Sequence, residues 1–529
     1  MVPTGEAERE GTWVPGTVAL ANENERDQLN LFPVPTSDPN DPLNWSPARK
    51  AVNFTIVCFF VFWTFVQLDV SFTTWAPMRR ELGYTTQILN AGVAVNYGGL
   101  AVGCFFFMPL AHKFGRRPLY IFSTGLQFAG MIWYAQIQTE GDLIGCNLIT
   151  GVGGAISEII VQMTVADVFF VHQHGTMNGW YVIAQSIGTF LGPVAAGYVT
   201  TSQGWRWVWW WCVIFVGITF LVVIFFFEES KYVPVPESLP ASHSAYTTED
   251  VDQKESAPSK SEIESAPGLA VQIKPKSYRQ RLSLVTKTDE SILAHFYQPL
   301  TTLFTFPAVA YCAVTYGFTL CWFAIMTSLS ATYMVKPPWN FGPEGVGLFN
   351  IPPFIGTSMG FVFGGHLCDK WIIWLSRRNG GIYEPEMRLW FALPVAAICP
   401  AGILMFGLGL AYGVHWILPA VGYGVYGFTF GSISATALSY LMDCHQEIIG
   451  DALVGVIFMR NIVSLIVLFV LTPWVNGMGL RDTHIICAVI AFVIYLMPVP
   501  LLKWGKKARK ATAASYRKMA ERQVTQRPV

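Results

Sequence analysis

The stretch Met108-Pro-Leu-Ala-His112-Lys113-Phe-Gly115-Arg116-Arg117-Pro118 is a short basic hinge between two long apolar runs, residues 88–111 and 119–137. Runs of about twenty residues, at a rise of ~1.5 Å per residue, match the ~30 Å thickness of a bilayer's hydrocarbon core. A second hinge follows a later apolar run: Gly365-His-Leu-Cys-Asp369-Lys370-Trp371, with Arg377 and Arg378 a few residues on. Two hinges at matching places predict a chain built as two membrane-embedded halves.

Working outward from each hinge, the first half reads as spans over 51–74, 88–111, 119–137, 143–165, 180–200 and 208–227. The second reads as 309–333, 346–367, 389–412, 416–441, 453–474 and 484–502. A second correspondence supports the repeat: span four ends in Ala166-Asp167-Val-Phe-Phe-Val-His172 and span ten in Met442-Asp443-Cys-His445. Composition agrees, at 52% hydrophobic, 15% aromatic and only 13% charged residues, which is more apolar surface than a soluble domain of this size can bury. The expected fold is an all-α membrane protein of twelve transmembrane helices in two pseudo-symmetric six-helix bundles.

The expected division is a cytosolic N-terminal tail (1–48), a first bundle (49–227), a disordered cytosolic linker (228–298), a second bundle (299–503) and a basic cytosolic tail (504–529). The linker is rich in Ser, Pro, Glu and Lys and poor in large apolar residues, too polar to build a core. Its basic stretch, 274–281, suits either anionic lipid head groups or solvent. Net charge is zero, but its placement is informative. Arg49 and Lys50, the basic hinge, Lys370, Arg377, Arg378 and Arg388, and Lys503 through Lys510 all fall on one side of twelve alternating spans. The positive-inside bias puts that side, with both termini, in the cytosol. No cleavable leader is legible, and the first span is expected to target the chain. Ten cysteines are scattered without ligand spacing, so no disulfide framework and no metal site is expected. The sequons at Asn44 and Asn53 fall where glycosylation does not reach.

Ionisable residues inside spans carry the sharpest functional expectation, because a charge in hydrocarbon is kept only toward a cavity or a partner. Glu158 lies about sixteen residues into span four, roughly 24 Å from its outer end. It is expected to couple protons or bind a cation; the alternative is a structural carboxylate. Asp69, in the outer third of span one, is a candidate for binding a cationic substrate. Asn96, Tyr316 and Trp322 complete the expected substrate and proton site, and Trp63, Tyr97 and Tyr426 are further aromatics able to attract a cation. Arg460, read as a turn or two into span eleven, is expected to meet Asp167 and Arg116 across the two halves as a cytosolic gate. Gly188, Gly192 and Gly197 place small residues on one face of span five for close helix approach, and Pro193 removes a helix hydrogen bond.

These motifs resemble the major facilitator superfamily, and within it the fungal twelve-span drug:proton antiporter-like group. The hinge after span two is similar to that superfamily's signature Gly-x-x-x-Asp-Arg/Lys-x-Gly-Arg-Arg/Lys, and Gly188-x-x-x-Gly192-Pro193-x-x-Ala196-Gly197 resembles the antiporter motif of span five. The segments Asp38-Pro-Asn-Asp41-Pro42-Leu-Asn44-Trp45, Arg377 to Leu389 and Asp443-Cys-His-Gln-Glu447 resemble the branch with histidinol and polyamine transporters. The chain departs from the pattern at Met108 and His112, where the signature has Gly and Asp, and at Asn147, where the antiporter pattern has a buried Arg. The resemblance implies that the missing Asp locks the outward-facing state, a role then left to Asp369; His112 would add a charge that responds to pH near neutrality.

The expected function is proton-coupled secondary transport of a small organic compound by alternating access, foremost export of a drug-like compound or secondary metabolite by proton antiport. Proton-driven uptake of an organic cation such as a polyamine is the second reading, and a non-transporting nutrient receptor of the same fold the third. No nucleotide-binding motif is legible, so neither ATP-driven pumping nor an enzyme or cofactor is expected. The partners are the substrate, protons and the lipid bilayer, not nucleic acid, with a monomer at the plasma membrane.

Overall fold

The computed structural model describes residues 14–19, 36, 38–232, 275–286 and 293–520. Twelve spans run through them: α1 Pro47–Leu82, α2 Thr86–Phe114, α3 Arg117–Ala135, α4 Glu140–Val168, α5 Val171–Gln203, α6 Trp205–Phe226, α7 Pro307–Tyr333, α8 Pro343–Arg378, α9 Pro385–Ala411, α10 Ile417–Cys444, α11 449–478 and α12 480–495. Among the described residues nine helical stretches are long and apolar enough to cross a membrane; one of these holds both α11 and α12, and α3 and α10 complete the set. Helix is the solution a bilayer enforces, since each backbone N–H and C=O must find its partner within the segment. The ends are capped from the sequence: Ser46 accepts from the Arg49 N–H, Thr85 from Ile88, and Thr139 forms a capping box with Asp142. Gly479, at φ 81°, makes the corner between α11 and α12 in a backbone region that suits glycine.

The packing repeats itself. In the first half α1 lies on α5, α2 on α4 and α3 on α6; in the second α8 lies on α10, α7 on α11 at Gly317 and Arg460, and α9 on α12 at Phe406 and His484. Between halves, α2 runs against α11 and the start of α8 against the end of α5. The spans alternate in direction, so the termini, the α2–α3 and α8–α9 hinges and the α6–α7 linker share one face, hereafter the terminal face.

Two expectations change at that face. The linker, read as disordered from 228, is ordered at its described ends, while 233–274 and 287–292 lie outside the described residues. Both Arg117 and Lys231 hold it to the hinge: Arg117 donates to the Phe227, Ile224 and Leu282 carbonyls, and Lys231 Nζ to the carbonyls of His112, Lys113 and Thr286. Polar composition measures how little core a segment can build, but not how many helix-end carbonyls and N–H groups it can satisfy. Neither terminal segment is a loose tail throughout: Val18–Ala19 pairs antiparallel with Ile382–Tyr383, and the helix Pro498–Ala520 packs on the 385–391 turn, where Arg509 bonds Glu386 at 2.6 and 2.9 Å.

Candidate functional site

Both in-span acids sit where their helix is interrupted. Span α1 breaks after Asp69, between the segments Pro47–Asp69 and Ser71–Leu82. Span α4 breaks at Ala155, and Glu158 falls in the first turn of the following segment, Ile156–Val168. The junction is a tightened turn rather than an open helix end: the Ala155 N–H donates to the Val152 carbonyl at 3.4 Å and the Glu158 N–H to the Ala155 carbonyl at 3.2 Å. The run Gly151-Val-Gly153-Gly154 just ahead is the local cause, since glycine is the weakest helix former after proline.

Glu158 is buried and satisfied from the other half. Its Oε1 accepts from Arg460 Nη2 in α11, and its Oε2 accepts from Asn461 Nδ2 at 3.0 Å. Arg460 Nη1 donates to the Tyr316 hydroxyl of α7 at 2.9 Å. Arg460 Nε and Asn461 Oδ1 are buried with no hydrogen-bond partner, two polar atoms at the junction of the halves able to receive a water or a substrate group.

Asp69 differs. It is buried, accepts from Thr189 of α5, and acts electrostatically on Tyr97 of α2 and Tyr423 of α10. Tyr97 lies within electrostatic reach of both Asp69 and Glu158, so the acids flank one aromatic side chain. The Tyr423 hydroxyl is bonded to Thr327 of α7 at 2.7 Å. Aromatic rings around a buried carboxylate are the surroundings that an organic cation exploits.

Other expected site residues turn inward on their own half. The Asn96 side chain donates to the Asn147 carbonyl at 3.0 Å and to Thr150 at 3.1 Å, tying α2 to α4. A buried amide takes the nearest carbonyl rather than wait for substrate. Asn147, standing at the missing arginine, bonds the Leu143 carbonyl and Tyr134. Trp63 stacks on Phe215, and Tyr426 donates to the Thr319 carbonyl. Trp322 is buried against Phe318, and its indole N–H has no hydrogen-bond partner.

The expected gate is corrected more strongly. Arg460 does not meet Arg116 and Asp167 in a common cluster. Helix α11 begins at 449, four residues earlier than expected, which puts Arg460 eleven residues in, about 16 Å deep by helix rise and level with Glu158. Arg116 Nε stands 2.9 Å from Asp167 Oδ2, so that pair lies within the first half, and Ser230 of the linker also donates to Asp167. Burial pushes the Glu229 carboxyl above its ordinary range, opposed by backbone N–H groups of Arg116, Lys231 and Arg117 that donate to it. Asp369 mirrors the first arrangement within the second half: Arg388 donates to Asp369 at 2.7 Å and pairs with Asp443, which also accepts from Tyr383. His112 does reach the second half, its ring stacked on His295.

The motif glycines serve two neighbours. A Cβ on Gly188 would stand 2.6 Å from the Phe62 carbonyl oxygen and one on Gly192 3.2 Å from Val66, both in α1, whereas one on Gly197 would meet the Pro343 carbonyl of α8 at 2.6 Å. Span α5 continues unbroken through Pro193, whose carbonyl would stand 2.5 Å from a Cβ on Gly347. Sequence reasoning missed a denser seam between α8 and α10. Cβ atoms on Gly356 and Gly360 would lie 2.0 and 2.2 Å from the Gly424 and Phe428 oxygens, with Gly427 and Gly431 answering from α10. The spacing Gly356-xxx-Gly360-xxx-Gly364 was its legible signal. Also missed was Asn90, bonded across the halves to Ser328 at 2.6 Å and Thr472 at 3.0 Å.

Two pseudo-repeated bundles, with a buried charge pair joining them at mid-depth, define a polytopic secondary transporter. The model of the Major Facilitator Superfamily matches residues 54–468, and the chain belongs to that family. It is 31% identical to an uncharacterized MFS-type transporter of Schizosaccharomyces pombe over 98% of this chain and 95% of that protein. It is also 31% identical to protein HOL1 of Saccharomyces cerevisiae, over 92% and 91%. The multidrug transporter TPO1_2 of Candida glabrata is similar at 23% identity over 92% of this chain and 80% of its own. The protein is thus a multi-pass membrane transporter of a small molecule, not an enzyme.

Proposed function

We propose that the protein exchanges protons for a small organic compound, exporting it from the cytosol across the plasma membrane, with the terminal face cytosolic. The observation that carries the reading is the Glu158–Arg460 pair, one partner in each half. Protonating Glu158 removes its charge and releases Arg460, loosening the two halves at the depth where a substrate would sit. A coupling group of an exchanger needs to sense proton and conformation together, and a carboxylate shared between halves does so. The unpartnered Arg460 Nε and Asn461 Oδ1 beside it offer substrate contacts. A drug-like substrate is supported by the likeness to a multidrug transporter, and the basic terminal face supports the orientation.

The test is flux in proteoliposomes under an imposed pH gradient, with organic cations and neutral drug-like compounds as probes. Substrate moving opposite to the proton, with Glu158→Gln exchanging substrate but failing to concentrate it, is expected. Concentration by Glu158→Gln at the wild-type rate overturns the coupling role. A second reading, proton-driven uptake of an organic cation, is favoured by Asp69 among Tyr97 and Tyr423; substrate and proton moving the same way selects it.

A further inference from the structure

The end of α2 carries histidine where the resembled signature carries aspartate, and that histidine meets a second one in the other half. The rings of His112 and His295 are parallel within 2° with centroids 4.4 Å apart. His295 lies on the helix Leu293–Thr305, which leads into α7 and packs against both α2 and α11. Its Nδ1 stands 3.4 Å from Oδ1 of the buried Asp451, in the first turn of α11. The first half, the lead-in helix and α11 thus meet at one imidazole–imidazole–carboxylate row. Gly450 lies against Met108, the other departure from the signature, with a Cβ there 3.2 Å from the Met108 methyl.

The charges facing His112 come from every neighbouring element. Arg116 at the head of α3 and Lys231 of the linker both act on it, Lys113 adjoins it on α2, and His295 faces it from the second half with Asp451 behind that ring. Asp167 balances Arg116, and Glu229 accepts from the Lys231 backbone. The first proton belongs on His295, whose ring nitrogen faces a carboxylate, and it tightens the contact to Asp451. A second proton on His112 would set two cationic rings face to face beside Arg116 and Lys231. Stacking at this separation tolerates one charged ring but not two.

We propose that His112, His295 and Asp451 form a proton-binding latch between the two halves on the terminal face, separate from the Glu158 site. The latch is closed with at most one proton bound, and the second opens the terminal face. It would let acidification of that compartment favour the state open to it.

The test is a distance measured by electron paramagnetic resonance between spin labels at Lys113 and Gln446, which lie on opposite halves at this face. It uses the full-length protein with Cys58→Ser, the other nine cysteines being buried. The distance distribution should lengthen as pH falls from about 7.5 to about 4, through and well below the ordinary histidine range, because burial and the neighbouring cations oppose the second proton. Separate His112→Asn and His295→Asn variants should flatten that response. His112→Asp should also remove the opening, because His295 then keeps its proton between two carboxylates and no second cationic ring can form. A wild-type distance that does not move with pH, or an undiminished response in either asparagine variant, overturns the latch. A response abolished by Glu158→Gln but kept in both histidine variants assigns the pH dependence to the inner pair and also overturns it.

Discussion

Charge pairs inside a half and charge pairs between halves look alike in sequence but do opposite work. Arg116–Asp167 and Arg388–Asp369–Asp443 each join a hinge to a span of the same half, so they hold in any arrangement of the two bundles. Glu158–Arg460 joins α4 to α11 and forms only while the halves are close at that depth. The first kind sets the shape of a bundle, and the second, under the proposed function, would report and bias the state of the transporter. Asp69 is a third case: its hydrogen-bond donor, Thr189, is a neutral hydroxyl of its own half, so under the proposed function it would answer to the charge of what binds.

The largest expected effect lies wholly within one half. Gly356→Val puts a branched side chain where even a Cβ comes within 2.0 Å of a backbone oxygen, and the α8–α10 seam has no room to give. The variant should be lost as monodisperse protein on solubilisation, read by fluorescence-detected size exclusion; a wild-type profile would show that the second half tolerates a wider seam. Between the halves, Glu158→Gln should solubilise normally yet abolish uphill transport. Arg460→Leu strands the buried carboxylate and should cost about 3–5 kcal/mol, whereas the double variant Glu158→Gln/Arg460→Leu should recover most of that stability. Thermal unfolding of the three proteins decides: additive losses would place the two side chains in separate roles.

Smaller again is Asp69→Asn, expected to weaken binding of cationic substrates about tenfold, near 1.4 kcal/mol, while neutral ones change little. Equal losses for both classes would reassign Asp69 to structure. The smallest effect should be Asp167→Asn, where Arg116 keeps its bond to the Ala111 carbonyl and the pair lies within one half. A few-degree fall in melting temperature with unchanged uphill transport is expected, and lost coupling would erase the distinction between the two kinds of pair.

Hydropathy runs and paired hinges made the twelve spans and their duplication legible, because a bilayer leaves a twenty-residue apolar segment essentially one conformation. The acids Glu158 and Asp69 were legible too, as isolated charges in hydrocarbon. The partners were not. Arg460 was assigned to the wrong cluster because a four-residue error in the start of α11 displaces a side chain by about 6 Å along the axis. Asn96 was named for the substrate and proton site, and nothing in the local sequence shows that the Asn147 carbonyl stands opposite its amide.

The sequence by itself determined how many times the chain crosses the membrane, where its two halves repeat and which residues are too costly to bury without purpose. Only the tertiary structure decided which charge meets which, that Glu158 belongs to Arg460 and His112 to His295. Contacts between residues more than a hundred positions apart depend on how two bundles dock, and a glycine spacing read along one helix does not say which helix lies against it or in what register.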